Sequence, residues 1–405
     1  MATKVCMLVT AHSFLDARIF KKEAKSLMKN GYKVTMIVPR LKGNLFDVDG
    51  KTLPNPFKVF KREGIKIITY DFFDYTKQLN LMNKNINSSH HQGFIDNLTK
   101  LGINEEADIY HAHEFASLYS GIGIKRTLEK SKGKKVKLIY DSHEIDPDPY
   151  NANQKEHEKL MRPMLVKMLK EVDYVITVSN SMKSWYLNFD PKLPIEVVYN
   201  SPPLSTNFSP KDYNSDRFII VHEGAITQTK GNFKKLTRIL EICNQNSDKF
   251  HFKIIGGIHG TKYKLTIPSH LKNKIEVTGW VDYFVIPEMM KDADIGWIDF
   301  DQLHLSLNRQ YALPNKFFSY LNNGVPVLVN QCPEMEDIVK KYNCGIVIEK
   351  EHATAEDYAN AILSLYNNKN QLREMSNNAR NFMIANSWEE MEKRLLTIYK
   401  KLQNQ

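Results

Sequence analysis

LPNKFFSYLNNGVPVLV, residues 313–329, carries a helix start, a helix stop and a buried strand in succession. Pro314 suits the first turn of a helix, where a missing N–H costs nothing. Asn315 and Lys316 then lie near the helix N-terminus, where the backbone favours anions. Gly324 closes the helix, and the apolar run 325–329 is of strand length. A capped helix feeding straight into a buried strand is the unit from which parallel α/β sheets are built.

The same alternation extends in both directions. Upstream in the second half, strand candidates are 218–223, 252–257, 274–280 and 293–298, with 344–349 downstream and a helix over 231–246. The first half offers 5–11, 33–38, 65–70, 107–113, 136–141, 173–178 and 195–200. A helical stripe of Phe20, Ala24, Leu27 and Met28 spans 14–30 and stops at Gly31. Strands alternating with helices predict two doubly wound, Rossmann-like α/β domains. The Pro-, Ser-, Asn- and Asp-rich segment 201–216 reads as the linker between a first domain, 1–200, and a second, 217–386. The polar segment 80–95 reads as a loop. A last helix, 388–402, lines up Trp388, Met391, Leu395, Ile398, Tyr399 and Leu402, a stripe that must be buried somewhere.

Length and composition agree with this division. At 405 residues, 42% hydrophobic and 25% charged, the chain has room for two ordinary globular cores. No apolar run reaches the length of a membrane-spanning helix, and the opening residues lack a cleavage pattern. Four scattered cysteines favour a reducing compartment, so a cytoplasmic protein is expected. The net charge of +10 is uneven: residues 1–200 carry 31 Lys+Arg against 23 Asp+Glu, residues 201–405 carry 25 against 23. The basic half suits an anionic membrane surface or a phosphorylated acceptor, and no motif for nucleic acid accompanies it.

Ligands of open parallel sheets bind beyond the carboxyl ends of the strands. Three such ends in the first half carry histidine: Thr10-Ala11-His12, His111-Ala112-His113-Glu114 and Asp141-Ser142-His143-Glu144. A substrate site using imidazole, a His/Glu metal site, and satisfied core or capping histidines are all open readings. Asp299-Phe300-Asp301 matches a metal-binding acidic pair, a pattern short enough to arise by chance. In the second half, Gly224 after a strand and Lys230-Gly231 at a helix start make a second anion site.

These pieces resemble, in order and almost end to end, the retaining glycosyltransferases of the GT-B fold. The closest likeness is to glycosyltransferase family 4 and its bacterial capsular and surface-polysaccharide members. The matching stretches are HSFLDARIFKKEA (12–24), DIYHAHE (108–114), YDSHE (140–144), ITVSNSM (176–182), VVYNSP (197–202), VTGWV (277–281) and residues 313–329. The resemblance implies two Rossmann-like domains facing a central cleft, with the terminal helix, 387–405, packing back on the first. It implies transfer of a sugar from a nucleotide-diphosphate donor to a glycan or lipid-linked acceptor, without a metal or other cofactor. His113 falls on the catalytic-site histidine. Gly224, Lys230, Asn315, Lys316 and Ser319 fall on the donor side, and His12, Asp16, Arg18, His143 and Glu144 on the acceptor side.

The sequence departs from the family pattern at Ser319 and Tyr311, where glutamates are expected, and at Ala225, where the pattern has a diphosphate-binding arginine. The glycine-rich loop after the first strand is also missing. A non-catalytic nucleotide-sugar-binding protein, or a nucleotide-sugar epimerase on the same fold, are the alternatives these departures leave open.

Overall fold

The computed structural model describes residues 2–48, 51–88, 93–206, 208–226, 233–245, 247–258 and 265–404. The chain divides into two compact units, one of residues Met1–Val198 and Glu392–Gln405, the other of Tyr199–Met391.

The strands of the first unit are β1 (Lys4–Val9), β2 (Lys33–Arg40), β3 (Leu45–Phe46), β4 (Thr52–Leu53), β5 (Val59–Arg62), β6 (Ile65–Asp71), β7 (Ile109–His113), β8 (Lys137–Ser142), β9 (Tyr174–Thr177) and β10 (Ile195–Val197). Among the described residues, eight of them form one sheet in the order β10-β9-β8-β7-β1-β2-β6-β5. All its pairings are parallel except that of β5 with β6. The central strands are buried along nearly their whole length, as strands covered on both faces must be. The order reverses between β1 and β7, so a crevice opens beyond their carboxyl ends.

The second unit holds β11 (Phe218–Ala225), β12 (Phe250–Gly257), β13 (Ile275–Gly279), β14 (Ile295–Ile298), β15 (Val327–Asn330) and β16 (Gly345–Ile348). They form a parallel sheet in the order β13-β12-β11-β14-β15-β16. Here the order reverses between β11 and β14. Trp297, Phe218, Phe250, Phe252 and Tyr358 anchor the core of this unit. The helix Asn315–Asn322 leads into β15 as the opening stretch implied, except that Pro314 stands just before the helix rather than in its first turn.

Several expectations need correction. Segment 80–95 holds a helix, Leu79–Asn87, because Leu79, Met82 and Ile86 form a buried stripe among polar neighbours. The helix expected over 14–30 starts as a π-helical turn, Ile19–Ala24, continued by an α-helix, Lys25–Lys29. The Glu23 amide reaches back five residues to the Arg18 carbonyl, 2.9 Å away. That wider turn places side chains five apart on one face. Gly224 does not turn the chain after β11 but lies within it, at φ +101°. The segment read as the linker, 201–216, is anchored by side chains of the second unit. Asn322 holds the Pro203 carbonyl and the Ser205 amide, Arg380 stacks on Phe208, and Lys211 pairs with Asp294 at 2.8 Å. The last helix, Trp388–Gln403, straddles the division, since the first unit takes the chain back from Glu392. The antiparallel edge β5 and the hairpin β3–β4 had no counterpart in the sequence reading.

Candidate active site

In the first unit, the three histidine-bearing ends come from adjacent strands, β8, β7 and β1. The register sets Val9 beside His113 and His113 beside Asp141. Residues two apart on a strand share a face, and the rings of His111 and His113 stack 4.4 Å apart.

Beneath them lies a buried ion-pair network. Arg18, 2% exposed, donates from Nε and Nη2 to both Asp141 oxygens at 3.0–3.1 Å, and from Nη1 to the Val198 carbonyl at 2.8 Å. Its Nε also lies 2.9 Å from Glu23 Oε1, yet neither Glu23 oxygen has a hydrogen-bond partner. Two buried carboxylates facing one guanidinium cannot both keep their charge cheaply. Burial drives both toward the neutral form, but Arg18 and His143 hold Asp141 well below the usual carboxylate range. Glu23 is pushed well above that range by burial, against the pull of Arg18. Burial also holds His111 below its ordinary value, and burial with His111 alongside holds His113 well below. Both rings are therefore driven toward the neutral form. Lys22, buried against Arg18, is brought down to about 7.

The histidines connect this base to the surface. His113 Nδ1 is 3.2 Å from His143 Nε2, and His143 is 3.6 Å from Glu114 and 3.5 Å from Asp141. His12 lies 3.6 Å from Glu114 and 3.7 Å from Asp16. The side chains of His12 and His143 are 29% and 13% exposed, whereas His113 is fully enclosed. Burial opposes a charged His12, but Glu114 and Asp16 outweigh it and raise its pKa. Asp16 also shapes the backbone, because its other oxygen accepts from the Arg18 and Ile19 amides and so starts the π turn. Glu144 raises the pKa of His12 through its charge, and desolvation, with the charges of Glu114 and Glu144, brings the half-buried Asp146 up to about 7.

Glu23, His111, His113 and Asp141 bring metal-ligand atoms within 4.8 Å of one another, as do His12, Glu114 and His143. In the buried group the Arg18 guanidinium already occupies Asp141, which fits a metal ion poorly. Asp299 and Asp301 are claimed by Lys235, at 2.6 and 3.4 Å, and Tyr358 donates to Asp299, so this pair reads as structural.

In the second unit the residues gather at the reversal between β11 and β14. Asn315 and Lys316 open the helix Asn315–Asn322, the former exposed and the latter half-buried. A Cβ on Gly224 would sit 4.0 Å from Lys316 Nζ. Ser319, buried, hydrogen-bonds the Glu223 carboxylate, and the Tyr320 hydroxyl accepts from the Glu223 amide at 2.8 Å. A cavity of about 290 Å³ is lined by Ser319 together with Tyr283, Phe284 and Pro287. Lys230 lies outside the described residues.

Sequence reasoning gave no role to four residues of these two clusters. Glu23 and Asp141 lie inside quoted motifs, and only the π turn and the strand register show what they do. Tyr399 lies in the apolar stripe of the last helix, and its hydroxyl is 2.9 Å from His111 Nδ1. Glu223 lies near the carboxyl end of β11 beside a glycine, the region the strand-end rule marks.

Comparison with known proteins speaks to the family and the fold. Residues 17–204 match the family model Glycosyltransferase Family 4, and residues 205–382 match Glycosyl transferases group 1. A sequence search of curated proteins finds no match. Sucrose-phosphate synthase of Thermosynechococcus elongatus superposes over the whole of both chains, with a TM-score of 0.66 at 13% identity. Anabaena HepE, solved in complex with UDP, covers 98% of this chain and all of its own, at 0.65 and 14%. A glycosyltransferase of Rickettsia africae covers 99% of each, at 0.64 and 17%. At such identities the likeness shows the fold alone. The two family models follow one another from residue 17 to residue 382, and with the shared fold they make this chain a GT-B glycosyltransferase of the family 4-like kind.

Proposed function

We propose that the chain transfers a hexosyl group from a nucleotide-diphosphate sugar to a hydroxyl of a glycan, with retention of anomeric configuration. The acceptor is lipid-linked and the product is a surface polysaccharide, assembled at the inner face of a cell membrane. The first unit binds the acceptor and the second binds the donor. The observation that carries this reading is the partly exposed edge His12–Glu114–His143, backed by the buried Arg18–Asp141 pair at the β1/β7 crevice. A fixed polar edge on a rigid sheet is what orienting a hydroxyl requires. His113 acts on the transferred sugar through that edge, its Nδ1 held against His143.

On the donor side, charge develops on the departing nucleoside diphosphate. Lys316, Lys230, the Asn315 end of its helix and the backbone at Gly224 meet that charge. With two lysines and a helix N-terminus assigned to the diphosphate, the reaction is proposed to run without a metal or other cofactor.

The test is turnover of a panel of nucleotide sugars with a lipid-linked glycan, followed by assignment of the product anomer. Retention is expected, and His12→Ala and Lys230→Ala are expected to lower kcat/KM by about a hundredfold or more. No product and no donor hydrolysis across the panel would refute the transferase reading. Sugar interconversion without acceptor would favour an epimerase, and an inverted product would refute retention alone.

A further inference from the structure

The second unit holds a buried carboxyl group that the reading above does not use. Glu223 is 8% exposed, lies near the carboxyl end of the central strand β11, and stands at the reversal of strand order where open sheets bind ligands. Its Oε2 has no hydrogen-bond partner. Its neighbours are polar and come from one helix: the Ser319 hydroxyl bonds the carboxylate, and the Lys316 charge acts on it. A buried polar atom left unpaired costs stability, and such a cost in a fold calls for an explanation.

A ligand hydroxyl supplies one. The free oxygen accepts, and the position beside Lys316 and the helix N-terminus puts it within a sugar's reach of any phosphate bound there. Vicinal hydroxyls linked to a diphosphate describe the ribose of a nucleoside diphosphate. A carboxylate near the carboxyl end of a sheet strand is a general way for an α/β sheet to hold a ribose.

We propose that Glu223 is a specificity-determining residue that accepts hydrogen bonds from the ribose hydroxyls of the donor nucleotide, with Ser319 orienting its carboxylate. This rests on the donor being a nucleotide-diphosphate sugar. Ser319 and Glu223 then form one unit, the serine fixing one oxygen and leaving the other for ligand. Burial favours the neutral carboxyl over Lys316's pull and brings the group to about 7. Either protonation state keeps an oxygen able to accept.

Calorimetric titration with UDP, GDP, ADP and CDP, each against its 2′-deoxy and 3′-deoxy counterpart, tests the proposal on the full chain. The wild type is expected to bind at least one ribonucleotide roughly tenfold tighter than its deoxy forms. Glu223→Ala is expected to bring the ratio to within about twofold. Glu223→Met, which fills the same volume without an acceptor, is expected to do the same and covers a folding failure of the alanine variant. A ratio that survives in either folded variant overturns the proposal and leaves the transferase reading standing. So does a variant that weakens binding of nucleotide sugars while sparing the free nucleotides, since the carboxylate would then face the transferred sugar. Absence of any nucleotide binding by the wild type overturns both readings together.

Discussion

Among the described residues, Arg18 is the cation in direct contact with both buried carboxyl groups of the first unit's site. Removing it leaves Asp141 charged and without its guanidinium in the interior. Arg18→Met is therefore expected to cost about 3–5 kcal/mol, measured by denaturant unfolding. Arg18→Lys should recover little, because an ammonium cannot reproduce the fork that spans both Asp141 oxygens. Glu223 gives a pH signature. Its carboxyl titrates at about 7 in the fold against 4.5 when unperturbed, so the folded state prefers the proton. Stability from that preference is complete below about pH 4.5 and is lost as pH rises through about 7, a change of roughly 3 kcal/mol. Glu223→Gln keeps the neutral form at every pH, so its stability relative to wild type should climb between pH 5 and pH 8. A constant difference in urea unfolding across that range would mean that Glu223 ionises freely. At this scale the sequence was readable where chemistry sits on a strand end: His12, His113 and His143 stand on one edge because parallel strands align their ends. Glu223 was not readable as a ligand-binding group, because its meaning depends on what surrounds it. The resemblance implies a glutamate at 319. The structure has serine there, hydrogen-bonded to the Glu223 carboxylate on β11.

Elements followed the sequence pattern where periodicity and burial agreed. The central strands announced themselves as continuous apolar runs, since both of their faces are covered. The helix Leu79–Asn87 was hidden because three buried residues suffice to hold it in an otherwise polar segment. The π turn was hidden for a different reason. Its cause is Asp16, whose carboxylate collects the amides of Arg18 and Ile19, and no apolar period records such a contact. The β11–β12 pair depends on two glycines. Gly256 has φ +131°, and a Cβ there would fall 2.3 Å from the Gly224 carbonyl oxygen. Gly256→Ala is expected to cost about 1–3 kcal/mol in backbone strain alone. It should also push β11 away from β12, so nucleotide affinity should fall with melting temperature. A variant that melts like wild type would show that the strands can part without harm.

The whole chain builds one unit from two separated segments. Leu395, Ile398, Tyr399 and Leu402 are buried in the fold, and Tyr399 also completes the bonding of His111. Deleting residues 392–405 is expected to remove or sharply lower the calorimetric transition of the first unit while that of the second persists. A single unchanged transition would contradict this. The charge asymmetry belongs to this scale as well. With the excess of lysine and arginine in residues 1–200, binding to vesicles containing anionic lipid is expected at low salt and should weaken steeply as salt rises. Cosedimentation that is absent, or indifferent to salt, would count against a membrane station. The alternation of elements made two α/β units legible from the sequence. Where the chain leaves and re-enters the first was not, because the point of return lies inside one continuous helix.

That re-entry has a consequence for how the protein is made. A ribosome synthesises residues 199–391 between the two segments of the first unit, an interval of roughly 10–40 s at ordinary elongation rates. During it, the nascent first segment has all of its sheet strands and no cover for the surface that Leu395, Ile398 and Tyr399 will occupy. The second unit, encoded without interruption, can finish first. The half that carries His12, His113 and His143 is therefore the last whose chain is complete.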